Sequence, residues 1–260
     1  MVAAPTAPVH LWEGFLTFVW PDIADRTDQN TLRNDQAFCG YHVRVFSDRI
    51  EAGRALAAEL ENYLRHQDPD GTPLVLALPR GGVPVGEEVA AVIGADLDVV
   101  IARKIGMPDD PEYGLGAVTA DGPPIFHIGA LAVAGLREED LAEQVEAERA
   151  EARRRLRAYR GNLPPPSVSG RTVIVVDDGL ATGVTAVAAL RQLRLQAPSR
   201  LVFAAPVCSR EGAENVRTEA DALVCVGRID RLGSVGAWYD DFSQLSDEDV
   251  EAMLTRARVG

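Results

Sequence analysis

The sequence predicts an α/β fold in which strands and helices alternate around a parallel, Rossmann-like sheet. Short runs of β-branched and other apolar residues, at 74–78 and 173–176, have the length of strands buried on both faces. A glycine-rich or acidic turn follows each run directly, and a segment of helical composition follows each turn. This alternation implies right-handed crossovers, which make the sheet parallel and bring the turns to one edge.

Length and composition fit one large domain with an extension. The chain has 260 residues, of which 47% are hydrophobic, enough for a substantial core. Residues 45–250 are expected to form the domain. Residues 1–44 combine clustered aromatic side chains with a polar stretch that lacks sustained periodicity, so they are interpreted as an N-terminal extension, either packed over the domain or poorly ordered.

Net charge and cysteine content limit the classes of binding partner and the cellular compartment that we expect. A formal net charge of −13 argues against nucleic acid and against anionic membranes. The sequence has no run of eighteen apolar residues, and residues 1–20 lack the basic start and clear cleavage site of a signal peptide. The three cysteines show no metal-binding spacing. Two of them, Cys208 and Cys225, lie in apolar runs, so we expect these two to be buried thiols and the location to be cytoplasmic.

The first predicted helix and strand lead into a glycine-rich turn. Asp48 and Glu51 have the spacing of a capping box, and apolar residues then recur at helical spacing up to residue 64. A short buried strand at 74–78 stops at Pro-Arg-Gly-Gly, and a helix follows. The glycines allow a backbone to approach an anion closely, and Arg80 offers paired donors to a phosphate. Taken alone, the turn also fits an ordinary strand-to-helix connection.

The next predicted strand, residues 98–102, precedes the single lysine of the chain. The sequence has 25 arginines and only Lys104 as lysine, so a lysine placed at random on the surface is improbable. A compact ammonium group directly after Arg103 suits a pyrophosphate whose charge shifts during a reaction, although a lysine retained by chance is the alternative. Residues 105–116 are rich in proline, glycine and acids and are expected to form a loop.

The remaining segments continue the alternation. Short strands are expected at 117–119 and 125–128, with His127 in a structural role, and the acidic-then-basic segment 137–160 predicts a long helix. The apolar stripe of that helix is thin, so most of its surface should face solvent or a partner subunit. Further predicted elements are strands at 201–207 and 222–226, a helix at 210–220, and a short capped helix that opens at Ser246.

The segment 173–185 (VIVVDDGLATGVT) carries the strongest functional signal. A buried strand ends at Asp177 and Asp178, and a turn rich in glycine and threonine leads into a helix. Backbone N–H groups of such a turn and the helix dipole hold an anion, and threonine hydroxyls add donors. The carboxylates accept hydrogen bonds from sugar hydroxyls. The combination predicts a sugar-phosphate site; a Rossmann-like strand with capping acids is the alternative, but it does not require Thr-Gly-x-Thr.

This segment resembles the 5-phosphoribosyl 1-pyrophosphate (PRPP) motif of the type I phosphoribosyltransferases. The resemblance implies a phosphoribosyltransferase-like core with a flexible loop and a small hood subdomain. It also implies that Asp178 and Asp177 contact the ribose 2′ and 3′ hydroxyls and lie near Mg²⁺, which is held largely through PRPP and water. The 5′-phosphate would be bound by the turn, Gly179, Leu180, Ala181, Thr182, Gly183, Val184 and Thr185.

Two positions depart from the family pattern. Val184 stands where the family often has glycine or lysine, a mild change because the backbone N–H does the binding. Ala181 stands where purine-salvage members commonly carry an aspartate that acts on the base. General-base help from this loop is therefore not expected.

The resemblance also assigns roles to the upstream segments. The Pro-Arg-Gly-Gly turn corresponds to the pyrophosphate loop, with Arg80, Gly81 and Gly82 as its binding residues. Residues 105–116 correspond to a mobile loop that closes over PRPP, with Arg103 and Lys104 beside it, and closure would exclude water from a glycosyl cation.

The C-terminal segment 228–250 resembles the base-binding hood of purine-type members. There Trp238 or Tyr239 would stack on a nucleobase; equally, Trp238 and Phe242 fit the role of core aromatics. The hood favours a 6-oxopurine, whereas Ala181 argues against one, so the acceptor is left open.

These resemblances imply a Mg²⁺-dependent phosphoribosyltransferase. It would move the 5-phosphoribosyl group of PRPP to a nitrogenous base and release pyrophosphate, and it would act as a homodimer. The alternative is a non-catalytic PRPP-binding or nucleotide-binding regulator that keeps the binding loop. The Lys104 loop argues against this alternative, because binding alone does not need a closing lid.

Overall fold

A computed structural model describes residues 45–67, 71–230 and 232–259, so the expected extension at 1–44 lies outside the described residues. In chain order the elements are α1 (Arg49–Arg65), β1 (Leu74–Ala77), α2 (Gly82–Ile93), β2 (Asp96–Val99), β3 (Ala102–Met107), β4 (Asp110–Thr119), β5 (Ile125–Phe126), α3 (Ile128–Ala134), α4 (Ala142–Arg160), β6 (Thr172–Val176), α5 (Val184–Arg194), β7 (Arg200–Ser209), α6 (Arg210–Val216), β8 (Ala222–Ile229) and α7 (Asp247–Val259).

The centre of the fold is a five-stranded sheet in the order β2-β1-β6-β7-β8. Every neighbouring pair in it is parallel, so the predicted parallel α/β sheet is confirmed. Helices cover both faces, which is why β1 and β6 are buried at every position. One apolar core joins the sheet to α1, α2 and α7, and a second joins it to α5 and α6.

Helix α1 begins at the predicted cap. The Asp48 side chain accepts a hydrogen bond from the N–H of Glu51 at 2.8 Å. The reciprocal bond is shifted by one residue, since the Glu51 carboxylate accepts from the N–H of Ser47 at 2.7 Å. The chain direction into α1 is thus fixed on both sides of Asp48.

Both predicted bounds of the strand at 98–102 are wrong. Strand β2 covers Asp96–Val99, and its ladder with β1 closes with the N–H of Val100 donating to the Ala77 carbonyl at 3.0 Å. The buried residues Val100 and Ile101 extend the apolar run past the last hydrogen bond. Arg103 therefore lies inside β3, in a different sheet, and does not follow a parallel strand directly.

The loop expected at 105–116 is an antiparallel hairpin. Strands β3, β4 and β5 form a second, three-stranded sheet, and the strand expected at 117–119 is the end of β4. The register shifts on either side of Gly106, which lets the glycine-containing strands pair despite their irregular composition. This sheet packs through its own core against α3 and α4.

Several helix and strand ends also differ from expectation. The segment expected as a strand at 125–128 divides into β5 and α3, and His127 caps α3 by accepting from the N–H of Ala130 at 3.0 Å. The long helix is present, but its first turn, Glu138–Leu141, is a 3₁₀ helix. Helix α6 ends four residues early at Val216, and α7 continues past residue 250 to Val259.

Helices α4 and α7 are joined by an ion-pair network. Glu151 accepts hydrogen bonds from Arg154 at 2.7 Å and from Arg155 at 2.8 Å, and Arg154 also contacts Asp247 at 3.2 Å. The Tyr159 hydroxyl donates to Asp247 at 2.5 Å. The hydrogen bonds from Arg154 and then Arg155 lower the pKa of Glu151 from 4.5 to about 2.

Glu151→Gln is expected to lower the free energy of unfolding by about 1 kcal/mol at neutral pH, because these side chains are partly exposed and screened. The pKa of Glu151 is lowered on folding, so the ionised form stabilises the protein above about pH 4.5, and this contribution is lost as the pH falls towards about 2. Urea unfolding across this range should show the gap between wild type and variant shrinking. A gap that stays constant with pH would contradict this account.

Within the part of the chain that the structure describes, no helix is long and apolar enough to cross a membrane. Cys208 and Cys225 are both free thiols; Cys208 is buried as expected, whereas Cys225 is only half-buried.

Candidate active site

Two strand-to-helix turns meet at the carboxyl edge of the parallel sheet. One connects β1 to α2, the other connects β6 to α5, and β1 and β6 are hydrogen-bonded neighbours. A Cβ atom added to Gly81 would overlap the Asp178 carboxylate, and one added to Gly82 would lie 2.6 Å from the Val176 carbonyl oxygen. The Pro-Arg-Gly-Gly turn therefore lies directly against the acid pair.

Asp177 and Asp178 form a closely spaced pair of carboxylates. The Asp177 carboxylate accepts a hydrogen bond from the N–H of Asp178 at 2.9 Å. Burial raises the pKa of Asp177 well above its usual value, and the neighbouring charge of Asp178 raises it further. Burial also raises the pKa of Asp178, although the hydrogen bond from Arg49 opposes the shift. Hydroxyl donors or a cation would stabilise the ionised form of both.

Arg49 is also part of this site, which the sequence does not predict. Its Nε donates to Asp178 Oδ2 at 2.8 Å, and its Nη1 donates to the Ser243 carbonyl at 3.0 Å. Its guanidinium carbon lies 3.9 Å from the centre of the Phe242 ring. In the sequence Arg49 is one of 25 arginines and lies next to a helix cap, so no local signal distinguishes it.

The predicted hood packs on the acid pair. The N–H of Phe46 donates to the Trp238 carbonyl at 3.0 Å, and the N–H of Asp240 donates to the Phe46 carbonyl at 2.8 Å. The Tyr239 hydroxyl donates to the Asp178 carbonyl at 2.6 Å. The hood is therefore built from two distant parts of the chain and anchored on Asp178.

The structure separates the hood aromatics into two groups. Tyr239 is buried at 6% exposure and packs between Phe46 and Phe242, so it is a core aromatic and not a stacking surface. Burial also raises the pKa of Tyr239. Trp238 is half-buried, and its indole N–H donates to the Leu232 carbonyl at 3.1 Å. Its role towards a base stays a prediction.

The turn from Gly179 to Thr185 leads into α5, with Gly183 as cap residue at φ 77°, a left-handed conformation that favours glycine. No side chain caps α5 in the described structure, and the N–H groups at 181–185 have no acceptor among the described residues. These are the donors that a helix N-terminus offers to an anion.

Leu180 is a correction within this turn. Its N–H donates to the Val207 carbonyl at 2.8 Å, and its side chain is buried at 2% exposure. Its amide is thus committed to the sheet edge and is not available to a phosphate. Gly179 is needed for a different reason, since a Cβ there would overlap the Val235 side chain of the hood.

The three predicted cations, Arg80, Arg103 and Lys104, have different surroundings. The Arg80 side chain is 37% exposed, and its Nη1 lies 4.0 Å from Asp247. Arg103 Nε donates to Glu148 of α4 at 2.8 Å. Lys104 lies opposite Ala117 in the hairpin, and the hairpin packs against α5. The roles of these three cations towards pyrophosphate stay predictions.

Comparison with known proteins decides the family. A family model described as phosphoribosyl transferase domain matches residues 47–235, which is most of the chain. The chain belongs to the phosphoribosyl transferase family. The family assignment covers both turns, the hairpin and the start of the hood.

Relatives of this phosphoribosyl transferase domain agree with the assignment. A protein in two strains of Mycobacterium tuberculosis, whose name assigns it provisionally to the phosphoribosyl transferases, is 37% identical over 224 residues, or 83% of this chain. The chain spans 47% of the length of that relative. A crystal structure of the protein TT1426 from Thermus thermophilus is 39% identical, covers 82% of this chain and 99% of its own, and has a TM-score of 0.67.

Proposed function

We propose that the chain transfers the 5-phosphoribosyl group of PRPP to a nitrogenous base and releases pyrophosphate. The observation that carries this proposal is the contact between the Gly81 backbone and the Asp178 carboxylate. It joins a turn suited to pyrophosphate with an acid pair suited to ribose. In PRPP the pyrophosphate is bonded to the ribose, so one substrate requires these two groups as neighbours.

The three parts of PRPP each have a matching element. The 5′-phosphate would lie at the N-terminus of α5, on the N–H groups at 181–185 and the hydroxyls of Thr182 and Thr185. The ribose hydroxyls would donate to Asp177 and Asp178. The pyrophosphate would contact the Gly81–Gly82 backbone and the Arg80 guanidinium.

Bond breaking would place positive charge on the ribose and negative charge on the leaving group, as in glycoside chemistry. The carboxylates of Asp177 and Asp178 would stabilise the ribose charge. Arg80, Arg103 and Lys104 would neutralise the pyrophosphate. The β3–β4 hairpin carries Lys104 and packs against α5, so its approach to bound PRPP would exclude water.

The donor set is compatible with Mg²⁺ held mainly by the substrate. Among the described residues, no group of three or more His, Cys, Asp and Glu side chains could hold a metal ion. Asp177 and Asp178 supply carboxylate oxygens, and Mg²⁺ commonly combines one or two carboxylates with substrate phosphates and water. When bound, Mg²⁺ would add charge neutralisation at the leaving group. A homodimer and a cytoplasmic location belong to the same proposal.

Pyrophosphate release tests the proposal. The protein is incubated with PRPP, Mg²⁺ and a panel of purine, pyrimidine and pyridine bases, and PRPP binding is measured in parallel by calorimetry. Base-dependent release of pyrophosphate is the expected result. Tight PRPP binding without release for any base would favour the regulatory alternative, and absence of PRPP binding would reject both.

Lys104→Ala is expected to reduce turnover by about 100-fold, because a charge that faces the leaving group in the transition state is removed. Lys104 lies in a hairpin strand with its Cδ near Gly114, so the fold should persist. Turnover and thermal unfolding are measured together. Lys104→Arg keeps the charge and should retain part of the activity. Arg137→Ala, which alters an exposed arginine, serves as the control. Unchanged turnover in Lys104→Ala would show that Lys104 has no role in the mechanism.

A further inference from the structure

The Arg49 side chain contacts both the acid pair and the hood of the candidate site. Nε is bonded to Asp178, Nη1 to the Ser243 carbonyl, and the guanidinium lies on the face of Phe242. Its side chain is only 11% exposed. Helix α1 begins at Arg49, and the preceding residue pair 46–47 is hydrogen-bonded to the hood, so the side chain is anchored at both ends.

This anchoring uses only part of the guanidinium. Arginine carries five N–H donors, and the described residues accept from two of them. Arg49 Nη2 has no acceptor among the described residues, and it is not among their fully buried, unpartnered side-chain atoms, so it keeps some exposed surface. Stacking on Phe242 fixes the plane of the guanidinium. Nη2 and the second N–H of Nη1 are thus the donors that remain for a carboxylate.

The phosphate turn adds an independent constraint on the acceptor. Residues 179–185 contain no ionisable side chain, so the turn cannot take a proton from an incoming base. In the proposed function, Asp177 and Asp178 bind the ribose. Their negative charge would repel an anionic acceptor unless a cation lay between the acceptor and the two carboxylates. Arg49 is the cation that contacts Asp178.

We propose that Arg49 selects the acceptor, and that the acceptor is a flat nitrogen heterocycle that carries a carboxylate. The inference rests on the proposed function and specifies its second substrate. The carboxylate pairs with Nη2 and the second N–H of Nη1 of Arg49. The ring nitrogen forms a bond to ribose C1, the C1–O bond to pyrophosphate breaks, and pyrophosphate leaves with the bonding electrons; a proton on that nitrogen, where present, passes to water.

Matched acceptor pairs test the proposal. Nicotinate and nicotinamide share a ring and differ in the charge of one substituent, and orotate differs from uracil by a carboxylate. In the wild type, kcat/KM should favour the acid of each pair by about 10- to 100-fold, the range of a charge-assisted hydrogen bond. Arg49→Gln should abolish this preference while changing the neutral acceptors less, and Arg49→Lys should keep part of it.

The control is Arg54→Gln, which makes the same chemical change on the same helix. Arg54 is 68% exposed and pairs with Glu88, so this variant should keep the wild-type preference. A wild type that prefers the neutral member, or an equal loss for both members in Arg49→Gln, would overturn the proposal. Thermal unfolding and the Arg49→Lys variant separate a folding defect from a loss of recognition.

Calorimetry separates this proposal from the proposed function. PRPP binding to the wild type tests the function, whereas binding of orotate against uracil, without PRPP, tests Arg49. PRPP binding with equal affinity for the two pyrimidines would reject the selection by Arg49 and leave the proposed function intact. Preferential orotate binding that Arg49→Gln removes would support Arg49 even if PRPP did not bind.

Discussion

Asp178→Asn is expected to lower pyrophosphate release by about 100- to 1,000-fold, because the ribose charge that develops in the transition state loses a carboxylate. The fold should not weaken. Asparagine keeps an oxygen that can accept from Arg49 Nε, the bond that Asp178 makes at 2.8 Å. Its neutral side chain also removes the repulsion that Asp177 experiences.

The stability of this variant follows from the direction of the pKa shift. Burial raises the pKa of Asp178 above 3.8, so the folded state holds the proton more tightly than the unfolded state does. Stability therefore falls as the pH rises through this range, and the ionised carboxylate destabilises the fold at neutral pH. Removing it should leave the urea midpoint unchanged or higher.

The matched control for this variant is Asp230→Asn, which alters a surface pair with Arg210 in which Asp230 is 79% exposed. It should change neither turnover nor stability. An Asp178→Asn protein that kept full turnover would remove Asp178 from the chemistry. One that lost turnover only together with its fold would assign Asp178 a structural role.

Gly81→Ala is expected to reduce turnover by at least about 100-fold and to destabilise the fold by about 1–3 kcal/mol, the usual cost of overpacking. Gly81 has φ −62° and ψ −31°, a conformation that alanine adopts readily. The backbone conformation at this position is therefore compatible with alanine. The new methyl group would overlap the Asp178 carboxylate, and the turn or the carboxylate must move.

A double variant isolates this contact. Gly81→Ala combined with Asp178→Ala should recover most of the lost stability, because the overlap disappears, while activity stays low. Unfolding free energies of the two single variants and the double variant give the coupling. Additive losses would mean that Gly81 is needed for a reason other than its contact with Asp178.

The sheet and the two turns at its carboxyl edge were predictable because their signals are local. Buried parallel strands are continuous apolar runs, and the turns that follow them carry acids and glycines. The hairpin β3–β4 was not predictable in this way. Its strands contain glycines and a proline, residues that indicate a loop, and their pairing shifts register on both sides of Gly106.

Contacts between residues far apart in the chain could not be predicted from the sequence either. Arg49 reaches Asp178 across 129 residues, and nothing near Arg49 signals this partner. Leu180 lies within the turn that the sequence predicts to bind phosphate, because its neighbours are turn residues. Its commitment to the Val207 carbonyl depends on how β7 extends past β6, which is a property of the assembled sheet.

The two-part hood has a consequence for how the protein is made. Arg49 and Ser243, which are hydrogen-bonded across the hood, are separated by 194 residues, and the bridge between Phe46 and Tyr239 spans a similar stretch. Loop closure over such a distance comes late in folding. On the ribosome, a nascent chain would therefore display the acid turn long before the hood could form over it. The complete pocket can form only after the chain has been synthesised through Ser243.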